Sequence, residues 1–253
     1  MAVTLRGGRA ARPEARKGAS AASQSEANYQ GGPVTDETWE RYAWMAGIVS
    51  IVLFVVATFI AGTPPNPNDS VQKVFNYVHD NVDAIRWGGY IVAIGIVLFA
   101  FWLAALASAV RRALKAPSGI VTLVIVGGVI GLALALVGTA IANAEVLRIR
   151  ELGPGGIHFF FGLGYLLGAV GDFGTAVLVG AVALAGLRGA AFPSWLVAVS
   201  GALAVGFLAA GIGVATFNSG IATVGLVVFL VWALWVVAIS VLRLTGSQAS
   251  AAA

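Results

Sequence analysis

One carboxylate lies in the middle of an apolar stretch, and it is the first residue whose type could support chemistry. Asp172 is flanked by "GYLLGAVG" and "FGTAVLVGA", and it stands 15 residues from each end of the apolar span Ile157–Leu187. A charged carboxylate at the centre of a bilayer costs about 2.5–3.5 kcal/mol, so such residues almost always face other helices and have partners. Asp172 is therefore either a proton or cation site, or a neutral acid that hydrogen-bonds a neighbouring helix.

The structural hydrogen bond is favoured for Asp172, because a proton relay usually contains several acids or histidines and the spans are predicted to bury only one charge. Tyr165 and Thr175 share roughly one helical face with Asp172, and they are candidate partners together with Ser50 and Ser200 on other spans. The glycines around the acid let another backbone approach closely. We therefore expect Asp172→Leu to leave a partner unpaired and to lower stability by about 1–3 kcal/mol.

A second set of polar residues falls on the side of the membrane that the charge distribution assigns to the outside. Two histidines, His79 and His158, and a carboxylate could hold a metal ion, but their spacing forms no motif, and interfacial hydrogen bonding is the favoured role. Asn143 and Thr139 lie four residues apart, and with Glu145 they could line a small polar vestibule. Hydrogen bonds between helices are favoured for them instead. No metal site and no cofactor are predicted.

The sequence lacks the patterns of familiar catalytic sites. It has no cysteine and no His-Glu-x-x-His, and no serine or aspartate has an evident partner histidine. Gly162-Leu163-Gly164 lies in an apolar helix without a preceding strand, so it is not a nucleotide-binding loop. We therefore expect a protein that is not an enzyme.

The composition indicates which solvent surrounds these polar residues. Of the 253 residues, 59% are hydrophobic and 10% are charged, whereas a soluble domain has roughly 25% charged residues. Most of the chain must therefore face lipid. The basic residues flank apolar segments rather than forming one stripe, so the net charge of +4 does not indicate a nucleic-acid partner.

Six apolar spans follow a polar N-terminal segment, and each is near or above the ~20 residues that cross a bilayer. The sequence therefore predicts an all-α, polytopic membrane helix bundle over residues 39–246. Residues 1–38 and 247–253 are predicted to be disordered tails, the first of them cytoplasmic. The spans are Ala43–Gly62, Trp87–Val110, Gly119–Val146, Ile157–Leu187, Pro193–Phe217 and Ile221–Leu242.

The distribution of basic residues predicts the orientation of the bundle. If the N-terminus lies inside, eleven arginines and lysines fall on the inner side and four on the outer side, which favours cytoplasmic N- and C-termini. The short loop with Arg111, Arg112 and Lys115 contributes most to this asymmetry. These three side chains are predicted to contact anionic lipid head groups.

The tryptophans fall into two groups by their position in the spans. Those near span ends are predicted to be interfacial anchors, and the deeper ones are predicted to pack against other helices or to face lipid. The first group is Trp44, Trp87 and Trp195, and the second is Trp102, Trp232 and Trp235.

The first loop on the predicted outer side contains an amphipathic helix over residues 69–85. Asp69 is its predicted N-cap, with Gln72 completing a capping box. A helix that caps the bundle is favoured over one that senses lipid at the membrane surface. Its apolar stripe consists of residues at helical spacing, namely Val71, Val74, Phe75, Val78, Val82 and Ile85.

Four stretches occur in a familiar order: the first loop "GTPPNPNDSVQKVFNYVHDN", a second span that ends in "RR", the segment "LRGAAFPSWLVAVSGALAVGFLAAG" and the final span "FLVWALWVVAISVL". This layout resembles a broad group of uncharacterised six-span membrane proteins from actinobacteria. The resemblance covers about residues 40–244, in layout more than in identity. It implies a six-span fold in a bacterial plasma membrane, and it implies no activity or catalytic residues.

Three functions are open at this point. The sparse polar residues favour a non-enzymatic accessory or interaction subunit of a membrane assembly, with membrane lipids and other membrane subunits as its expected partners. A glycine-lined cleft could instead bind or carry an apolar ligand, such as a lipid or a quinone. The third function is a proton or cation pathway through Asp172.

Overall fold

A computed structural model of the chain describes residues 36–114, 119–189, 192–216 and 219–251, which form seven helices and no strand. Six of the helices, all except the second, are long and apolar enough to cross a membrane, as judged by length and composition. The predicted all-helical, six-span membrane bundle is therefore confirmed. The helices are α1 (Asp36–Ala61), α2 (Val71–Asp80), α3 (Val82–Leu114), α4 (Gly119–Leu147), α5 (Ile149–Arg188), α6 (Ser194–Thr216) and α7 (Ser219–Ala251).

The chain divides into two units, Met1–Trp39 and Glu40–Ala253. Of the first unit, the structure describes residues 36–39, which form the first turn of α1, and the rest of the predicted N-terminal tail lies outside the described residues. At the other end of the chain, α7 continues to Ala251. Residues 247–251 are therefore helical, in contrast to the disordered tail that their composition predicts.

Helix α2 forms within the predicted amphipathic segment, but it is shorter than predicted and is capped by a different residue. It spans Val71–Asp80, and Asn81 interrupts the helical path before α3 begins. Ser70, rather than Asp69, is the N-cap, because its hydroxyl oxygen accepts a hydrogen bond of 3.4 Å from the backbone N–H of Lys73.

The carboxylate of Asp69 stabilises the turn that precedes α2. It pairs with the amine of Lys73 at 2.8 Å and accepts a hydrogen bond of 2.8 Å from the backbone N–H of Asn66. The Lys73 amine, followed by the Asn66 N–H, holds the pKa of Asp69 below its usual value. The predicted capping box is wrong, since the side chain of Gln72 donates to Asn76 instead.

Helix α2 covers one end of the bundle, which we call the α2 end. Val78 is fully buried, and it packs with Val146 near the end of α4 and with Ile157 near the start of α5. The Tyr77 hydroxyl donates a hydrogen bond of 2.8 Å to the carbonyl of Ala61, the last residue of α1. Val74 and Val78 of the apolar stripe are therefore buried against the bundle, whereas Val71 at the start of α2 is exposed.

The opposite end of the bundle, which we call the arginine end, contains the start of α1 and the C-terminal part of α3. The guanidinium of Arg112 contacts both carboxylate oxygens of Glu40, and one of these hydrogen bonds measures 2.9 Å. Arg243 lies at the same end of the bundle, and its guanidinium is 4.9 Å from the centre of the Phe192 ring. Charged groups thus mark the helix ends here.

Helices α4 and α5 approach each other closely enough for their backbones to touch. A Cβ atom added to Gly174 would lie 2.7 Å from the backbone nitrogen of Gly131 and 2.9 Å from the carbonyl oxygen of Gly127. Only glycine fits at such a crossing. The contact fixes the position of Asp172, two residues before Gly174, relative to α4.

The start of α5 is interrupted, although the helix spans Ile149–Arg188 overall. Gly153 has φ 61° and ψ 176°, a conformation that is essentially restricted to glycine. Pro154 follows and opens the long part of α5, which is a favourable place for proline because no helical N–H is lost there. One short turn at residues 149–152 therefore separates α4 from the membrane-spanning part of α5.

Candidate functional site

A cavity of about 280 Å³ lies inside the bundle, and every one of the six spanning helices contributes to its wall. Its lining is apolar apart from a carboxyl, an indole and two threonine hydroxyls. We call it the central cavity. One lining residue from each helix, in chain order, is Phe54, Phe99, Gly131, Asp172, Phe207 and Trp232.

Asp172 is half-buried in the wall of this cavity, and its carboxyl group makes no hydrogen bond within the described part of the chain. The predicted partners point elsewhere. The hydroxyls of Thr175, Ser50 and Ser200 donate to carbonyls of their own helices at 2.7–3.3 Å, and the side chain of Tyr165 is exposed. The described residues therefore give Asp172 no interhelical hydrogen bond, and its side chain lines the central cavity.

Three deeply placed tryptophans differ in how their indole N–H groups are satisfied. Trp102 donates to the hydroxyl of Ser240 at 2.9 Å, and Trp235 donates to the hydroxyl of Ser200 at 2.8 Å. Trp232 is only 9% exposed and lines the central cavity, but its indole nitrogen has no partner among the described residues. The central cavity thus has a second polar group without a partner.

A second cavity, of about 300 Å³, lies at the α2 end between helices α1 to α5, and we call it the α2 cavity. Glu145 lines it and is only 3% exposed, and its Oε1 atom has no partner among the described residues. Tyr77 of α2 lies in the same wall. Burial raises the pKa of Tyr77.

The two cavities adjoin each other. Thr58 of α1 and Val92 of α3 contribute to the walls of both. Glu145 is therefore a second buried acid next to the cavity of Asp172, and the prediction that the spans bury a single charge is wrong. The acidic side chain of Glu145 within an apolar span could have indicated this site. Glu145 lies next to the end of the predicted span, however, so the sequence predicts that it faces the outer side of the membrane.

The donor groups of Asn143 and Thr139 bond within their own helix rather than to other helices. The Thr139 hydroxyl donates to the carbonyl of Ala135 at 2.8 Å, and the Asn143 amide donates to the carbonyl of Thr139 at 3.0 Å. Thr139 also lines the α2 cavity beside Glu145. A Cβ atom on Gly89 of α3 would overlap the Asn143 side chain, so α4 packs closely on α3 at this level.

The two histidines have separate surroundings at the α2 end. His79 is exposed, and its Nδ1 atom lies 3.1 Å from the carboxylate of Asp80. His158 places its Nε2 atom 3.2 Å from the backbone oxygen of Asp69, so it ties α5 to the turn before α2. In the described ranges, no group of three or more histidines, aspartates and glutamates is placed to hold a metal ion.

The three basic residues that were predicted to contact lipid head groups differ in their surroundings. Arg111 is exposed and lines a groove of about 380 Å³ between α3 and α4, whose other lining residues are almost all apolar. Arg112 is paired with Glu40, and Lys115 lies outside the described residues. Leu132 lines both this groove and the central cavity, so the two spaces share a wall. Lipid contact stays a prediction for these residues.

Comparison with family models, with curated proteins and with solved structures finds no match to this chain. The resemblance to six-span proteins therefore adds no residue roles. What the chain does has to be inferred from its two cavities and from the polar groups that line them.

Proposed function

We propose that the chain binds a small, mostly apolar ligand of the lipid or quinone kind in its central cavity, with a polar group of the ligand held by Asp172. The observation that carries this proposal is the central cavity of about 280 Å³, to which all six spanning helices contribute. Ligand sites are concave and mostly apolar, with a few polar groups that fix the orientation of the ligand.

The polar groups without partners indicate which ligand chemistry is suitable. Buried polar groups in proteins almost always have hydrogen-bond partners, and the indole N–H of Trp232 and the carboxyl of Asp172 have none among the described residues. The indole can only donate, whereas a protonated carboxyl can donate and accept. A ligand with carbonyl or ester oxygens would satisfy both groups, which favours a quinone ring or a lipid head group.

The groove between α3 and α4 offers a place for an apolar tail. Leu132 separates this groove from the central cavity, and it contributes to both walls. A ligand whose head lies in the central cavity could extend its tail past Leu132 towards the lipid. Arg111 lines the same groove and would suit a negatively charged group near the membrane surface.

The proposal includes the predictions from the sequence about the membrane, the orientation and the absence of enzymatic activity. The chain lies in a bacterial plasma membrane with its N- and C-termini in the cytoplasm, and it is not an enzyme. Membrane lipids are its expected partners. A role as an accessory subunit of a membrane assembly is compatible with ligand binding, and it stays a prediction.

The test compares two alanines of α4 after purification in a mild detergent. Ala135 lines the central cavity, whereas Ala133 is exposed on the same helix. Small molecules that co-purify are extracted and identified by mass spectrometry. Wild type and Ala133→Leu should retain the same amphiphile, and Ala135→Leu should lose it because the larger side chain fills the cavity. An identical set of molecules at identical ratios in all three proteins would refute binding in this cavity.

A further inference from the structure

We infer that the α2 cavity binds a small organic cation, a primary ammonium group with an apolar substituent, whose nitrogen is held by Glu145, Tyr77 and Phe161. This site is separate from the one proposed for an apolar ligand in the central cavity, and it does not depend on that proposal. Three observations carry the inference: the burial of Glu145 without a partner, the pairing of the nearby basic side chains with other acids, and the aromatic rings in the same wall.

Glu145 is the one acidic side chain among the described residues that line the α2 cavity. It is 3% exposed, and its Oε1 atom has no hydrogen-bond partner in the described part of the chain. An ionised carboxylate in an apolar environment is very costly unless it is paired with a positive charge and hydrogen-bonded. A buried polar atom without a partner calls for an explanation, and an ion is one of the usual ones. Glu145 is therefore suited to a positively charged partner that donates a hydrogen bond.

The basic side chains at the α2 end do not supply this partner. Three of them form ion pairs of 2.7–2.8 Å with acids other than Glu145. Arg150 is exposed and lies outside the cavity wall, and no lysine, arginine or histidine occurs among the described residues of that wall. The positive partner of Glu145 would therefore come from outside the chain. The three pairs are Lys73 with Asp69, Arg86 with Asp83, and Arg148 with Glu151.

Two aromatic rings in the cavity wall suit an ammonium ion. Tyr77 of α2 and Phe161 of α5 both line the cavity, with ring centres 6.3 Å apart and ring planes at 75°. The Tyr77 hydroxyl donates to the carbonyl of Ala61, which fixes the ring to the end of α1. A cation is attracted to the face of an aromatic ring when it lies within about 6 Å of the ring centre. A carboxylate combined with such rings is the chemistry that recognises an organic ammonium ion.

An ammonium group fits this wall better than Ca²⁺ or Mg²⁺ does. Those ions take about six or more oxygen ligands, whereas the wall offers one carboxyl group and two threonine hydroxyls. The hydroxyls of Thr58 and Thr139 donate to carbonyls of their own helices at 2.9 and 2.8 Å. In the described ranges, no three histidines, aspartates and glutamates are grouped to hold a metal ion. A primary ammonium has three N–H donors, and one of them would satisfy Oε1 of Glu145.

The volume and the apolar wall limit the rest of the ligand. The α2 cavity measures about 300 Å³, which is at the lower end of the roughly 300–1,000 Å³ that is typical of ligand sites. Much of its remaining lining is aliphatic or glycine, as at Val78, Gly88 and Val92, so the substituent on the nitrogen should be short and apolar. Pro64, in the segment between α1 and α2, also belongs to the wall. The cavity thus reaches the α2 end of the bundle, from which a ligand could enter.

The experiment titrates two compounds of similar shape into the purified full-length chain in an uncharged, mild detergent. One is benzylammonium, and the other is the neutral benzyl alcohol. The heat of binding is measured after subtraction of a titration into empty micelles. Wild type should show saturable binding of benzylammonium at one site. Benzyl alcohol should bind about tenfold more weakly or worse, because hydrogen bonds between charged groups are roughly twice as strong as neutral ones.

Glu145→Gln tests the anchor, because the amide keeps the shape of the acid and removes its charge. This variant should bind benzylammonium about tenfold more weakly than wild type or worse, and its affinity for benzyl alcohol should be unchanged. Glu151→Gln is the matched control, since Glu151 is exposed and paired with Arg148, and it should match wild type for both compounds. Thermal unfolding in detergent shows whether each variant is folded.

A second pair of variants tests the cavity without changing the acid, and it decides the matter if Glu145→Gln does not fold. Ala142 lines the α2 cavity, whereas Ala144 is exposed on the same helix. Ala142→Leu should abolish binding of benzylammonium because the larger side chain fills the cavity, and Ala144→Leu should keep it. Asp172→Asn and Ala135→Leu change the wall of the central cavity, and both should bind benzylammonium as wild type does.

Three results would each overturn the inference: no saturable binding by wild type, equal affinity for benzylammonium and benzyl alcohol, or wild-type binding by folded Glu145→Gln or Ala142→Leu. Loss of binding in Asp172→Asn together with full binding in Glu145→Gln would place the cation in the central cavity, and it would overturn the inference as well. The test of the central cavity measures co-purifying amphiphiles and uses neither compound. Either proposal can therefore fail while the other holds.

Discussion

The two halves of the bundle differ in how their buried polar groups are satisfied. Towards the arginine end, Trp102 and Trp235 are buried and each indole N–H has a serine acceptor, and Trp44 packs edge-on against Trp102 with ring centres 6.3 Å apart. Towards the α2 end, Glu145 is buried without a partner for Oε1. Proteins tolerate such unsatisfied groups mainly at functional sites, so the contrast fits a stabilising role for the first half and the proposal that the buried acids serve a function.

The largest expected effect is an all-or-none difference in labelling between the two ends, because the predicted topology places them on opposite sides of the membrane. The chain has no cysteine of its own, so single cysteines can be introduced cleanly. A cysteine at Asn76 in α2 should react with a membrane-impermeant reagent on whole cells, and one at Ser118 should react only after the cells are opened. Reaction at Ser118 without reaction at Asn76 would reverse the orientation.

The aromatic core should account for a large part of the stability. Trp102 is fully buried, and replacing such a side chain with alanine lowers the free energy of unfolding by about 3–5 kcal/mol. Trp87→Ala is the matched control, because Trp87 is 59% exposed and surface substitutions usually change stability by about 0.5 kcal/mol or less. Unfolding in detergent measures both. If Trp102→Ala and Trp87→Ala lower the free energy of unfolding equally, the aromatic core does not account for a large part of the stability.

The serine acceptors of the core come next in expected effect. Ser240→Ala and Ser200→Ala each leave a buried indole N–H without its acceptor, so we expect a loss of about 1–3 kcal/mol in each case. Ser108→Ala is a control within the spans, because the half-buried side chain of Ser108 makes no hydrogen bond to any of the described residues. Unfolding under the same conditions compares the three. If Ser240→Ala and Ser108→Ala behave alike, the hydrogen bond to Trp102 contributes little.

Substitution of the two acids should have a smaller effect on stability than loss of the serines. Glu145→Gln and Asp172→Asn remove no described hydrogen bond, so we expect a change below about 1 kcal/mol in unfolding experiments. The same argument reverses the expectation for Asp172→Leu, because the structure describes no partner that the leucine would leave unpaired. A loss of stability as large as that of Ser240→Ala would indicate that these acids do have partners and would remove the contrast between the two halves.

The smallest expected effect concerns the turn before α2. Because the pKa of Asp69 is lowered from its usual 3.8, its contribution to stability is present above that value and is lost as the pH falls through the lowered pKa. Hydrogen exchange of residues 66–74 should therefore quicken in acid, and Asp69→Asn should remove this dependence on pH. If the hydrogen-exchange rate of wild type, corrected for the intrinsic rate, does not depend on pH, the Asp69 carboxylate does not stabilise this turn.

The sequence predicted the elements better than it predicted the side-chain contacts. Long apolar runs are sufficient to identify six membrane-spanning helices, and the valine stripe is sufficient to identify α2. Trp44 was predicted to be an interfacial anchor, but it is buried because it packs against Trp102 of α3. Trp87 and Trp195, which were predicted in the same way, are exposed.

The candidate site was predicted only in part, for a physical reason. Asp172 stands out because a carboxylate in mid-span is unusual whatever surrounds it. Glu145 lies two residues before the end of α4, and its burial depends on α2 folding over it, which is a contact between distant parts of the chain. The partners of Ser200 and Thr175 could not be predicted either, because hydroxyls inside helices often bond to a carbonyl of the preceding turn.

The backbone contact between Gly127 and Gly174 has a consequence for how the protein is made. α4 and α5 are joined by a single short turn, and contacts between segments that are close in sequence form quickly. We expect this pair to associate while the ribosome is still adding α6 and α7. Phe207 and Trp232, which complete the wall of the central cavity, are therefore synthesised last. A nascent chain released before α7 would hold Asp172 in an open cleft, so a ligand of the proposed kind would be enclosed only when translation is nearly finished.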